Sequence, residues 1–439
     1  AGGLSISDVT SVVLDTDTKG GNITLTASSG DIAINTNIGA VTASDNNKGH
    51  DVIFVTSGGN GDISLFGFDG DDATNGTDAD LTLNAGGSSG VVSVGAISDT
   101  GTVTVTQSGG VTFSDTLGAA TLAITDTADS QTVSLAGNVN LTSGLTTANG
   151  GSDNYNVSLT GASNSIAGAT TFAQGGTLTL GDAETDSSTF TGGLNTTAAS
   201  SENLAGTVQT EGTALVLGAV TLIDNTTLKT DGNSATGDAN IIVGAVGVTS
   251  NDDLTITSTG TVDFTGTVNL GSGDLDVTID TATEGTDTLV IDQTITANAI
   301  NFTGSGAAGG DTLDVDVDIT AGTSLTLDNL ASVVLDTNTK GGNITLTASS
   351  GDIAINTNIG AVTASDNNKG HDVIFVTSGG NGDISLFGFD GDDATNGTDA
   401  DLTLNAGGSS GVVSVGAISD TGTVTVTQSG GVTFSDTLG

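Results

Sequence analysis

The chain has 439 residues, with 68 Gly, 51 acidic residues against five Lys, no Arg, and a formal charge of −46. Such a charge excludes nucleic acid as a partner, because phosphate binding needs a basic patch, and it opposes docking on an anionic membrane. Cys, Pro, Met and Trp are absent and aromatic residues reach only 3%, so neither a disulfide framework nor a large aromatic core can hold the fold.

Glu, Lys, Arg and Met, all good helix formers, are scarce, while Thr, Val, Ile, Asp, Asn and Gly abound; the chain reads as all-β. In chain order, one short motif recurs: a polar residue, then apolar, any, apolar. It stands as NITL at Asn22, DIAI at Asp31, DISL at Asp62, DLTL at Asp80, TVTV at Thr102, TLAI at Thr121, NVNL at Asn138, NVSL at Asn156 and TLTL at Thr177. Apolar residues two apart mark half-buried strands, and the Gly, Asp, Asn and Ser clusters between them supply turns. From Asp62 to Thr177 the motifs Asp62, Asp80, Thr102, Thr121, Asn138, Asn156 and Thr177 step by 18, 22, 19, 17, 18 and 21 residues.

A period of ~20 residues of strands predicts a parallel β-solenoid, each coil carrying two or more strands, in a single elongated rod. Pairs such as Ile63/Leu65, Leu81/Leu83 and Val103/Val105 should stack on like residues above and below, with Asn and Asp at corners bonding locally or taking left-handed backbone. The absence of Pro fits strands that donate to both neighbours. A string of sandwich domains is the rival, but no ~100-residue period supports it.

A longer repeat overlies the short one. Ser11–Gly118 recurs as Ser332–Gly439, an offset of 321 residues, with one difference, Asp17 against Asn338. Residues 1–10 then end a preceding repeat, 11–331 form one complete super-repeat, and 332–439 are the first third of the next, all in one continuous solenoid. Both ends are expected to lie inside an array, with further copies in a longer parent chain.

The rhythm of GGNITLTASSGDIAINTNIGAV, DLTLNAGG and GTVDFTGTVNL resembles the repeat regions of filamentous haemagglutinin-type adhesins and of giant bacterial surface proteins with right-handed β-helical shafts. That resemblance implies export to the cell surface and a structural or adhesive role.

The stretch GGNGDISLFGFDGDD occurs twice, at Gly58–Asp72 and Gly379–Asp393. Its acids Asp69, Asp71 and Asp72, with Asp390, Asp392 and Asp393, are the candidate metal ligands, calcium being the candidate ion. The pattern departs from known calcium loops: Asp62 comes one place early for the tandem nonapeptide, and Thr74 stands where an EF-hand needs Gly. No cofactor is required by anything else in the sequence.

Hydrolysis would need paired carboxylates, one with a raised pKa, and no pair stands out; the expectation is a non-catalytic chain. His50 and His371, one position seen twice, read as loop residues. Sequons at Asn22, Asn140, Asn156 and Asn301 leave glycosylation open. Of Phe66 and Phe68, and of Phe387 and Phe389, alternation should turn one ring inward and one outward, the outer being a candidate contact for lateral bundling. No apolar run approaches the ~18 residues of a membrane span. The expected setting is extracellular or at the cell surface.

Overall fold

Strands form where the apolar-x-apolar motifs lie, and nearly every one pairs in parallel with strands about one coil before and after it. The computed structural model describes residues 2–41, 50–56, 60–70, 78–87, 89–148, 154–230, 238–279, 287–304, 310–362, 371–379, 381–391 and 399–439. They group into two units, Ala1–Glu211 and Gly212–Gly439, and each is an all-β parallel solenoid.

Three walls build each coil of the first unit. On the first wall Ile32 stacks on Ile63, Ile63 on Val92, and Val92 on Val111. The second wall runs Ile38, Phe68, Ile97, Leu117, and the third Val52, Leu81, Val103, Leu122. All twelve of these side chains are at most 2% exposed. The second unit repeats the plan. Its first wall takes Leu254, Leu275 and Ile300 in turn, its second Leu289, Leu313 and Val333, and its third Val268, Ile295 and Ile319. Burial on three inner faces explains why a motif of only two apolar residues suffices: each strand needs one short inward pair, and the stack supplies the rest of the core.

Ile63/Leu65 do stack on Val92/Val94, and Leu81/Leu83 on Val103/Val105, but the two sets occupy different walls. The sequence ladder therefore mixed walls. Its steps from Asp80 to Thr102, from Thr102 to Thr121 and from Asn156 to Thr177 are true coils, whereas the step of 18 from Asp62 to Asp80 passes from the first wall to the third. The motif marks a strand without saying which face it lies on.

Coil length varies accordingly. Val92 to Val111 is 19 residues and Val111 to Val133 is 22, near the predicted twenty, but Ile32 to Ile63 is 31 and Ile63 to Val92 is 29. In the coil from Ile63 to Val92 the extra length falls between the second wall and the third, from Asp69 to Leu81. Gly70 N–H donates to Ser98 O (3.0 Å), and Ala79 N–H returns to Gly70 O (3.0 Å). Gly70 and Ala79 are thus joined to each other, and Gly70 to the next coil.

Where an Asp or Asn opens the motif, its side chain has a structural task. Asp62 N–H donates to Asp31 Oδ1 (2.9 Å), and Val91 N–H donates to Asp62 Oδ1 (2.8 Å). Asn22 Oδ1 accepts from Asp51 (3.0 Å), Asn156 Oδ1 from Thr177 (2.8 Å), Asn225 Oδ1 from Asp253 (3.0 Å) and Asp253 Oδ1 from Asp274 (2.8 Å). Each is a clip from one coil to the next, closing a backbone donor that lies just outside the ladder. The expected local bonding occurs as well, as at Asn84, Asp115, Asn195, Asp224 and Asn269, each accepting an N–H one or two residues on, and positive φ occurs at Asp8, Asp99, Asn329 and Asp420 among the described ones. Asp62→Ala is expected to cost about 1 kcal/mol and Asp62→Asn close to nothing, since an amide oxygen accepts the same bond. Urea melts of the two variants decide it; equal losses would mean that the clip carries no energy.

The two copies of the long repeat fold alike, each within its own unit. Ile23–Ala27, Ile32–Val41, Val52–Thr56, Ile63–Asp69 and Leu81–Asn84 correspond to Ile344–Ala348, Ile353–Val362, Val373–Thr377, Ile384–Asp390 and Leu402–Asn405. The super-repeat boundaries are not structural ones: Leu117–Ile124 runs through Gly118, and Ser332–Asp336 pairs on both sides. One feature departs from an all-strand reading. Thr337–Lys340 makes a single helical turn, as does Thr16–Lys19. Asp336 Oδ1 accepts Thr339 N–H (2.8 Å) at its start, and Gly341 ends it at φ +67°, a capped turn too short to be seen as a pattern.

Candidate functional site

Of the candidate metal ligands, Asp69 and Asp390 end the strands Ile63–Asp69 and Ile384–Asp390 and are exposed. Asp71, Asp72, Asp392 and Asp393 lie outside the described residues. Among the described residues no three acids or histidines come together in a way that could hold a metal ion. Asp80, close by in sequence, is a clip: its Oδ1 accepts Thr102 N–H (2.5 Å), as Asp401 Oδ1 accepts Thr423 N–H (2.6 Å) in the other copy. Three sequons are committed in the same way. Asn22 Nδ2 donates to Asp51 Oδ2 (2.7 Å), Asn156 Nδ2 to Ser130 O (3.4 Å) and Asn301 Nδ2 to Asp276 Oδ1 (2.6 Å).

The repeated Phe pair builds the most distinct surface feature. Phe66 is 65% exposed and Phe387 63%, while Phe68 and Phe389 are each 2% exposed. One ring in and one out is the expected result, but simple alternation does not produce it, since residues two apart on a regular strand face the same side. The phase is reset at a corner. Leu65 points inward and Phe66 outward, and the pairing register slips between Ile34 and Asn37, so that Gly67 sits on Asn37 and Phe68 turns in on Ile38. A Cβ on Gly67 would collide with Asn37 Oδ1.

Beside each outward ring lies a groove, about 410 Å³ at Phe66 and about 430 Å³ at Phe387. Asn37, Ser64, Ser93, Ser114 and Asp115 line the first; Asn358, Ser385, Ser414, Ser435 and Asp436 line the second. Ser64 pairs with Ser93 in register, as Ser385 does with Ser414. Ser114 Oγ donates to Val94 O (3.4 Å), and Asp115 Oδ1 accepts Thr116 N–H (2.7 Å); in the copy, Ser435 Oγ donates to Val415 O (3.3 Å) and Asp436 Oδ1 accepts Thr437 N–H (2.8 Å). In the coil that follows each ring, the neighbouring position is a glycine, Gly95 or Gly416, where a Cβ would strike the carbonyl oxygen of Phe66 or Phe387.

A second group of chemically loaded residues was not singled out in the sequence. Asp287 and Asp311 are 4% and 1% exposed on the second wall of the second unit, and Asp287 Oδ2 is buried without a hydrogen-bond partner. Burial, then the charges of Asp238 and Asp311, push Asp287 up to about 6. One residue past the stacked Ile291, Val315 and Leu335 stand Asp292, Asp316 and Asp336. Burial, then the charges of Asp314, Asp336 and Asp292, raise Asp316 to about 6 as well. Asp314 is raised by burial and by Asp336 and Asp292. The visible signal was DVDVD at Asp314–Asp318; what hid the column was that its other members come from other coils. Carboxylates raised in this way suit proton transfer, but none of them lines either Phe groove.

Comparison with known proteins finds no matching family model, no matching curated protein and no matching solved structure.

Proposed function

We propose that this chain is a non-catalytic shaft segment of a long repetitive filament or adhesin on the outside of a cell. The observation that carries the reading is where the polar side chains go. Asp31, Asp62, Asp80, Asn156, Asn225 and Asp253 each accept a backbone N–H from the next coil. They are spent on repetition of the coil, and a near-identical copy spends them the same way at Asp352, Asp383 and Asp401. A stack built coil on coil can be lengthened without limit by adding repeats, as a shaft requires. Immunogold labelling of intact source cells with an antibody raised against residues 11–118 tests it. Label strung along surface fibres is expected; label found only after the cells are made permeable would overturn the assignment.

The alternative is a calcium-dependent adhesive or matrix module that binds cations or glycans through its acidic loops. The coil from Ile63 to Val91 favours it, because it carries five acids, Asp69, Asp71, Asp72, Asp78 and Asp80, and no base. One coil advances by ~4.8 Å, so its charge density exceeds the one charge per ~1.7 Å of duplex DNA. Such a surface keeps like copies apart in monovalent salt, and calcium prefers clustered carboxylate oxygens. Light scattering at fixed ionic strength is expected to rise with calcium and fall again with chelator. Scattering indifferent to calcium up to ~10 mM, beyond the weak end of extracellular sites, would leave the acids as clips and solubilising surface.

A further inference from the structure

We propose that the groove beside Phe66, and its copy beside Phe387, is a subsite for a neutral carbohydrate, a role beyond that of a shaft. A large ring held 65% exposed, and again 63% exposed in the copy, places apolar surface in water where a Thr would serve the strand equally well. The fold also keeps the ring bare. The position next to it in the following coil is Gly95, or Gly416, and no side chain fits there because its Cβ would run into the Phe carbonyl oxygen. The aromatic stacking that a solenoid offers elsewhere is therefore denied to this ring.

What surrounds the ring fits a sugar. A pyranose has an apolar face of C–H groups and an edge of hydroxyls that both donate and accept. The ring face of Phe66 meets the first need through its negative quadrupole and apolar area. Ser64, Ser93 and Ser114 meet the second with hydroxyls, Asn37 with a carboxamide and Asp115 with a carboxylate. Ser64 and Ser93 are register partners on adjacent strands, so their hydroxyls repeat at about 4.8 Å and offer matched contacts to more than one hydroxyl of a bound chain. Asp115 is held by its bond to Thr116 N–H (2.7 Å), which fixes the carboxylate before any ligand arrives. A volume of about 410 Å³ is within the range of small-ligand sites.

Charge selects among occupants. Among the described residues no cation lines either groove, and the chain carries −46, so uronic acids, sulfated sugars and sialylated glycans are repelled. A second copy of the chain would bring the same negative charge to the contact. A neutral sugar brings none.

The test is calorimetric titration, with saturation-transfer NMR, of the whole chain with neutral hexasaccharides of glucose, galactose and mannose, and with hexagalacturonate as the acidic control. At least one neutral sugar should bind at two sites per chain, and hexagalacturonate at neither. Phe66→Ala should remove one site, Phe387→Ala the other, and the double variant should show no binding at the concentration at which the parent is saturated. Phe66→Trp should retain its site. These rings are exposed, so the variants should melt as the parent does. The proposal is overturned if no neutral sugar binds at about 10 mM, or if binding survives in the double variant. It is equally overturned if sedimentation shows self-association that the double variant loses while no sugar binds, which would make the ring a contact between copies.

Discussion

Phe172→Ala is expected to destabilise the first unit by about 3–5 kcal/mol, the cost of a large aromatic cavity in a core that cannot collapse. Phe172, on the third wall above Thr147, and Phe190, on the second wall above Ile166, are both fully buried. Their rings meet edge to face across the interior, with centroids 6.3 Å apart and planes at 81°. Removing one ring loses both its burial and the pair contact. The coils on either side are fixed by their own ladders, so the void stays. Because stability in a stacked array is nearly a sum of neighbour terms, the damage should be local. Hydrogen exchange should accelerate first in Val139–Thr147 and Ser187–Phe190, the strands that stack on this coil. Phe66→Ala, the same chemical change on the outside, is expected to stay within about 0.5 kcal/mol. A loss below about 1 kcal/mol for Phe172→Ala would show that the core is loosely packed and not close-packed.

The second large effect is an unusual pH dependence. Most proteins lose stability on acidification because paired carboxylates must be protonated. In the second unit the sign is opposite for Asp287 and Asp316. Each has a folded-state pKa of about 6 against an ordinary 3.8, so the folded state holds the proton more tightly than the unfolded chain. Their contribution is fully present below about pH 3.8 and is lost as pH rises through about 6. For Asp287 the difference corresponds to roughly 3 kcal/mol at most, and half-buried Asp316 gives less because water screens it. Thermal melts of the chain should therefore fall from pH 5 to pH 7.5, a window that stays above the isoelectric point near 4.1. Asp287→Asn should raise stability at pH 7.5 by about 1–3 kcal/mol and flatten the slope, since it removes a buried charge from an oxygen with no hydrogen-bond partner. A melting temperature that climbs with pH, or an Asn variant less stable than the parent at pH 7.5, would refute the assignment.

The strands themselves were legible in the sequence. NITL, DISL, DLTL and TVTV each became a strand with the apolar pair inward, because a two-residue period is a local property of the backbone and needs no partner to be read. So was the parallel solenoid, because a strand that can bury only one face must stack on its own kind, and the missing Pro left every position free to donate. The duplication could be read letter for letter. The wall each strand occupies was decided only by the tertiary structure: DISL at Asp62 and DLTL at Asp80 look alike, yet lie on different faces, since the chain turns between them at Gly67 and Gly70 by close backbone packing that no motif encodes. Coil lengths likewise vary from 19 to 31 residues, although the strand motif is the same in each. The clips at Asp31 and Asp62, the serine-lined groove at Phe66 and the acid column of Asp292, Asp316 and Asp336 are all made of residues about a coil apart. Their chemistry arises from register, and register is set by how the whole stack settles, not by any one coil.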